Sequence, residues 1–354
     1  MLRQIRPFVT NELPPAIADA PTADQRAQMA RIAAATPRDA IAEIVDRARR
    51  TRIVILNEAH YSPRDRAFAL EVAQALRPLG YTILGAEAFD NSAPTNGALS
   101  PIEMLRRDGF VRQGTGFYTL DPVYARYVSA AMWLGYRPEA YEWTSAQWTA
   151  NGGIADREQA QARNLAALVD KNPGARFLVH VGHGHVWEDG GTAGGTSMMA
   201  GRLAGMTGIN PLTIDQVQVT DLRSDRAAVH AAAAQRVGTR AGVLVDGKGP
   251  LAFNVPAGRH VDLQVFHPVR TYRFGRPAWL AMLQGRPLTV PRTLAPTACP
   301  RLIQAFARGA LNDAVPLDQA MAEPGKPLPT LLVPPEPIRF AIQDADCSKR
   351  SRLD

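Results

Sequence analysis

Cysteine, lysine and long apolar runs are what this chain has least of. Two cysteines in 354 residues, Cys299 and Cys347, cannot between them complete a four-ligand zinc site. As the only pair, flanking a proline-rich segment, they read equally well as one disulfide, which would imply an oxidising compartment, or as two separate buried thiols. No apolar run approaches the ~20 residues of a membrane-spanning helix, so no transmembrane segment is expected. The opening Met1-Leu2-Arg3-Gln4-Ile5-Arg6-Pro7 also lacks the apolar core of a signal peptide. Periplasmic or secreted localisation is the expectation. Lysine occurs four times, so the formal charge of +7 is carried by arginine. The arginines sit singly along the chain, with Arg47, Arg49, Arg50 and Arg52 nearest to a block. Nucleic-acid binding would want a basic stripe with interleaved aromatics, so no nucleic-acid partner is expected and the arginines read as solvated surface.

What is present is an ordinary globular composition, 46% hydrophobic and 21% charged, in a chain long enough for one large domain or two. Residues 1–22, rich in Pro and Ala without clear periodicity, read as an arm packed on the outside. Asp24 to Ala35 reads as a helix. Thr36-Pro37 reads as an N-cap with proline at the first helical position, before the apolar stripe Ile41, Ile44, Val45 and Ala48. Arg52 to Leu56 is a short β-branched run, hence a buried strand, ending in Asn57-Glu58-Ala59-His60. Ser62-Pro63-Arg64-Asp65 has the spacing of a capping box and opens a helix that Pro78-Leu79-Gly80 stops. Tyr81 to Gly85 is a second strand, ending in Ala86-Glu87. Strand, helix, strand with short connections makes these two strands parallel.

Helices are expected from Ser100-Pro101 and from Asp121-Pro122, and a weak strand from Tyr136 to Glu142, interrupted by Pro138. Nine aromatics between Phe117 and Trp148 read first as core and second as pocket wall. Ile154 to Asn172 is a strong helix pattern. The strand 176–181 runs into Gly182-His183-Gly184-His185, a flexible glycine-rich stretch from Asp189 to Gly195, a helix from Ser197 to Ala204, a strand from Leu212 to Val219 and a helix from Ala228 to Arg236. After Thr239 short β-like runs broken by Pro and Gly take over. The expected organisation is therefore an arm (1–22), an α/β domain (23–238) with a mostly parallel sheet flanked by helices, and a β-rich C-terminal region (239–354).

The strand ends carry the chemistry. The first delivers Glu58 and His60, the second Glu87, the third Glu142, and the fourth His183 and His185. In a parallel sheet all of these meet in the crevice outside the carboxyl ends of the strands. The pairs Glu58/His60 and His183/His185 are spaced i, i+2, which points both members the same way in an extended segment. Carboxylates and imidazoles converging in a crevice permit two chemistries. They bind a divalent metal whose water becomes the nucleophile, or they act directly as general base and acid. His180, inside its strand, reads as a core residue. For Glu58 the plainer reading is a salt bridge to a nearby arginine, and for Glu87 a cap of the following segment.

Asn57-Glu58-Ala59-His60, Ala86-Glu87, the helix from Arg157-Glu158 through Asn164-Leu165, and Gly182 to His185 together resemble the superfamily of ChaN-like haem-uptake proteins, Tiki metalloproteases and erythromycin-esterase-like hydrolases. The family pattern has G-x-x-H after the first strand, a glutamate after the second and a late G-x-x-H. Here Asn57 stands in place of the first glycine, and the segment after Gly182 looks most like the ChaN-like branch. The resemblance covers about residues 50–235. It implies an α/β fold with Glu58, His60, Glu87 and His185 as the site core and His183, Arg157 and Asn164 as secondary candidates.

Two functions are expected. The first is a hydrolase of ester or amide bonds in a small molecule or peptide. Glu58 or Glu87 would activate water, His60, Glu87 and His185 would bind a divalent metal or His60 and His185 would shuttle protons, and Arg157 would stabilise an oxyanion. The alternative is a ChaN-like haem binder, with His183 or Tyr61 as iron ligand and the 117–148 aromatics over the macrocycle.

Overall fold

The computed structural model describes residues 2–94, 97–148, 152–189 and 197–347. Its centre is a six-stranded sheet built from β2 (Ile53–Glu58), β3 (Tyr81–Ala86), β4 (Arg137–Ala140), β5 (Arg176–Gly182), β7 (Leu212–Asp215) and β11 (Leu263–Gln264), in the order β11-β7-β2-β5-β3-β4. Every neighbouring pair is parallel, so the carboxyl ends of all six strands lie along one edge. β2 and β3 are parallel as expected, but β5 lies between them. The strand carrying Gly182 is thus central and faces both Glu58 and Glu87.

Alternation along the strands feeds two cores. Val54, Leu56, Leu84 and Leu178 pack with helices α4 (Pro63–Leu76) and α6 (Pro122–Trp133) on one face. Ile53, Ile55, Phe177 and Val179 pack with α7 (Ile154–Lys171) and α8 (Met199–Thr207) on the other. β2 and β5 are buried along almost their whole length, as strands covered on both faces must be. β4 sits at the sheet edge, which is where Pro138, with no N–H to donate, is tolerated.

Several expectations are corrected. Thr36-Pro37 opens no helix. Thr36–Asp39 is strand β1, paired antiparallel with β8 (Gly242–Asp246), and Asp39 instead caps α3 (Ala40–Ala48) through Ala42 N. A partner strand from 200 residues away is invisible to local periodicity. Ser62 makes no capping box: its hydroxyl donates to Asp65 Oδ1, while Asp65 Oδ2 accepts from Ala59 N. The arm contains helix α1 (Leu2–Thr10), and Phe8 within it and Asn11 and Leu13 beyond it are buried rather than lying on the outside. The helix expected from Ser100-Pro101 is formed (Pro101–Asp108), opened by a capping box between Ser100 and Glu103. Of the glycine-rich stretch after Asp189, residues 190–195 lie outside the described residues.

After Thr239 the chain is strand-rich. It also feeds back into the first unit, since β8 pairs with β1 and β11 extends the six-stranded sheet. A separate three-stranded antiparallel sheet (Arg301–Ala307 between Asp318–Ala322 and Ile338–Asp344) and the pair Arg286–Thr289 with Thr330–Val333 close over their own core of Ile303, Ala305 and Leu331. Cys299 and Cys347 are disulfide-bonded, which resolves the open choice between bridge and free thiols.

Candidate active site

Glu58 and His60 form the first part of the site. Glu58 ends β2 and is buried. Both its oxygens are taken by Arg66 from α4, Oε2 by Nε at 2.5 Å and Oε1 by Nη2 at 3.0 Å. Arg66 is itself wholly buried and spends its remaining Nη1 on Asp121 Oδ2 at 2.7 Å. Burial alone would raise the Glu58 carboxyl, but the Arg66 charge, with hydrogen bonds from His60 and Arg66, brings it down to about 2. A carboxylate held this firmly is a poor base. The salt bridge to an arginine is what the structure contains, and it engages both of the oxygens that the expected water-activating role would use. Its Oε1 still reaches His60 Nδ1 at 2.9 Å. With the Nδ1 proton donated to Glu58, the His60 Nε2 lone pair points away from the carboxylate. The His60 ring stacks on Tyr118 with centroids 4.0 Å apart.

Gly182 permits the next contact. A Cβ at this position would lie 2.3 Å from His60 Cε1, 2.7 Å from His60 Nε2 and 3.0 Å from Glu87 Oε2. Its φ of −87° is ordinary, so glycine is required here by close approach and not by conformation. Glu87 Oε2 accepts from the Gly182 N–H. Glu87 Oε1 lies 2.5 Å from Arg157 Nη2 and 3.5 Å from His185 Nε2. Burial opposes its charge, but His185 and Arg157 hold it well below the usual carboxylate range. Glu87, like Glu58, has no unengaged oxygen to act as base.

Arg157 on α7 is clamped between Glu87 and Glu142, with Nε 3.1 Å from Glu142 Oε1 and Nη2 on Glu142 Oε2. Its side chain remains 30% exposed, unlike that of Arg66. Asn164, a secondary candidate, instead ties down the loop after β4: its amide donates to the Tyr141 and Glu142 carbonyls at 3.0 Å.

His183 and His185 do not share a direction. They lie in a 3-10 turn, His183–Val186, and His183 takes a left-handed φ of 41°. The i, i+2 argument fails because the strand stops at Gly182. Asn57, the departure from the family pattern, stabilises this turn by donating to the His183 carbonyl at 2.8 Å and to Asp215 Oδ1 at 2.7 Å. The His183 ring meets His60 edge-on at 4.9 Å and approaches Tyr61 at 5.9 Å. Burial, with His60 adding in the same direction, brings it down to about 4, so it is neutral at pH 7. His185 turns the other way. Its Nδ1 is 2.6 Å from Glu158 Oε1, a close ion-pair contact misaligned for a hydrogen bond. Burial would favour neutral His185, but Glu158 and Glu87 push it up to about 10. It is a cation at pH 7, and its 3.3 Å contact with Arg157 Nη1 is then not a hydrogen bond. His180 is the core residue expected, with Nδ1 on the Tyr124 hydroxyl at 2.8 Å.

Among the described residues no three His, Cys, Asp or Glu side chains are grouped as a metal site. Within the set His60, Glu87 and His185, the two terminal nitrogens of Arg157 lie against Glu87 and His185. For haem, Tyr124, Tyr127, Tyr136 and Tyr141, four of the aromatics expected over a macrocycle, are instead buried in the hydrophobic cores.

Arg66, Asp121, Tyr118 and Glu158 were missed as site residues. Arg66 had a signal, because three consecutive charged residues, Arg64 to Arg66, open a helix that turns out to be almost entirely buried. Glu158 stood beside Arg157 in the motif. Tyr118 had no signal beyond lying in the aromatic segment.

No family model and no curated protein matches the chain. Among solved structures it is similar to RRSP, a MARTX toxin effector domain from Vibrio vulnificus CMCP6, at 19% identity with a TM-score of 0.33, covering 50% of this chain and 36% of that one. A structure described as bacterial protein toxins is similar at 20% identity and a TM-score of 0.32, covering 43% of this chain and 32% of that one. The chain thus spans about a third of the length of each.

Proposed function

We propose that the protein hydrolyses ester or amide bonds of a small molecule or peptide, with His60 as general base. The observation that carries this reading is the buried chain Asp121–Arg66–Glu58–His60, which fixes one imidazole nitrogen and turns the other toward Gly182 and Glu87. A base oriented by a carboxylate is the recurring arrangement for activating a nucleophile. His60 Nε2 takes a proton from water as the water oxygen bonds to the carbonyl carbon. The carbonyl π electrons move to oxygen, where Arg157, the exposed cation of the site, opposes the developing charge. Collapse of the tetrahedral intermediate breaks the C–O or C–N bond, and His60 returns its proton to the departing alcohol or amine. Glu87 holds both Arg157 and the His185 cation in register. No step requires a metal.

The motif order shared with the ChaN, Tiki and erythromycin-esterase-like group agrees with a site at these strand ends. The disulfide supports an oxidising compartment, periplasmic or extracellular. A haem-binding role is the less favoured reading. Glu58, Glu87, Glu142, Glu158 and Asp121 outnumber the cations Arg66, Arg157 and His185 around the site, and that negative surplus opposes haem propionates.

The test is a panel of activated esters and short peptides assayed with and without chelator, alongside a haem titration. Chelator-insensitive hydrolysis that falls by roughly 10²–10⁴ in His60→Gln is expected. A stoichiometric Soret shift lost in His183→Ala or Tyr61→Phe, with no hydrolysis, would replace this reading with the binder.

A further inference from the structure

A second cavity lies behind the His60 edge, its wall residue Phe8 packing against Arg66 with the guanidinium 5.7 Å from the ring centre. A cleft of about 1230 Å³ opens between α1, the turn at Leu120, the segment 312–316 and the three-stranded sheet of residues 301–344. This exceeds the roughly 300–1,000 Å³ that holds drug-sized ligands. One face of that sheet packs Ile303, Ala305 and Ala320 into its own core. The other face, by strand alternation, turns Leu302, Gln304 and Phe306, and Arg339, Ala341 and Gln343, toward the cleft. An antiparallel sheet facing only water would show a polar row here. Instead the row is mixed, and Phe8, Val9 and Leu13 face it from the arm.

The charge is one-sided. Among the described residues Arg6 and Arg339 line the cleft and no carboxylate does. The Arg339 guanidinium lies 4.6 Å from the centre of the Phe306 ring and donates to the Ala310 carbonyl at 3.3 Å. Among the described residues neither arginine stands in a salt bridge, whereas Arg301 on the same sheet is paired with Asp344. A long apolar trough with unneutralised guanidinium groups and neutral amides complements one chemistry, an extended alkyl chain ending in an anion.

We propose that this cleft binds a long-chain fatty acid, its alkyl chain between the arm and Leu302 and Phe306, its carboxylate at Arg339. The site is independent of the hydrolase reading, and a protein inactive on every ester still tests it.

The experiment is calorimetric titration of the full chain with palmitate below its aggregation limit, with hexadecanol as the uncharged match. Saturable binding at one per chain is expected. It weakens about tenfold, the effect of losing a hydrogen bond to a charged group, both in Arg339→Gln and on replacing palmitate with hexadecanol. Leu302→Trp, which fills the trough, removes it. Arg339→Gln changes a partly exposed side chain and still reads the head group if Leu302→Trp fails to fold. Absence of saturable palmitate binding, equal binding of hexadecanol, or co-sedimentation with anionic phosphatidylglycerol vesicles in place of monomer binding would overturn the proposal.

Discussion

Two arginine–carboxylate systems flank the same sheet edge, and they differ in one respect. Glu58, Arg66 and Asp121 are all at most 2% exposed, whereas Arg157, held by Glu87 and Glu142, is 30% exposed. In sequence both glutamates look alike, each the first acidic residue after an apolar strand. In the fold the buried system is closed to solvent, so the contact of Glu58 with His60 Nδ1 can only orient the ring. The partly open system keeps a cation facing outward, where charge would develop during carbonyl attack. Under the proposed function, the same residue types at equivalent strand ends serve as scaffold on one side and as electrostatics on the other. Solvent access decides which.

The sharpest way to break this contrast is to remove the arginines one at a time. Arg66→Ala strands two buried carboxylates and is expected to cost about 3–5 kcal/mol, read as a lowered urea midpoint. Arg157→Ala is expected to leave stability within about 1–2 kcal/mol, because Glu142 is partly exposed and Glu87 keeps the Gly182 N–H and the His185 cation. It should instead lower kcat by roughly 10²–10³, the scale of losing an oxyanion donor. Equal stability losses would erase the distinction. Next in size is Gly182→Ala, whose methyl collides with His60 and Glu87. Activity on an activated ester should drop by about an order of magnitude or more, since misplacement of about 1 Å can cost 10²-fold, with the far-UV spectrum unchanged.

The remaining effects are in pH. The Glu58 carboxyl stands at about 2 against an ordinary 4.5, so the stability it contributes is complete above pH 4.5 and is lost as pH falls toward 2. His185 stands at about 10 against 6.5, so its contribution is complete below pH 6.5 and is lost as pH rises toward 10. Unfolding midpoints measured across pH should show the alkaline decline flattened in His185→Gln and the acid decline flattened in Glu58→Gln. Retention of both slopes in the variants would show that neither group carries them.

Much of the parallel sheet was legible because β-branched runs bounded by capped helices leave a strong pattern, and so were the residues that meet at its edge. The roles were less legible. The proposed mechanism puts base chemistry on His60 and not on Glu58 or Glu87 because Arg66 and Arg157 occupy the carboxylates. Arg66 is near Glu58 in the chain, whereas Arg157 reaches Glu87 from several elements further on, which no local pattern announces. Likewise, the reversal of His185 away from His183 follows from a left-handed residue and an Asn57 side chain on a neighbouring strand. The pairing of Thr36–Asp39 with residues 242–246 was illegible for the same reason, as its partner is distant in the chain.

The account's central claim is the division of labour between Glu58 and His60. It is tested most directly by long-range ¹H–¹⁵N correlation spectra of histidine-labelled protein at pH 8, with His60 assigned by substitution. The account predicts a proton on His60 Nδ1, shifted downfield by its bond to Glu58, and a lone pair on Nε2, with the downfield signal lost in Glu58→Gln. A proton on Nε2, or a spectrum that Glu58→Gln leaves unchanged, would contradict it.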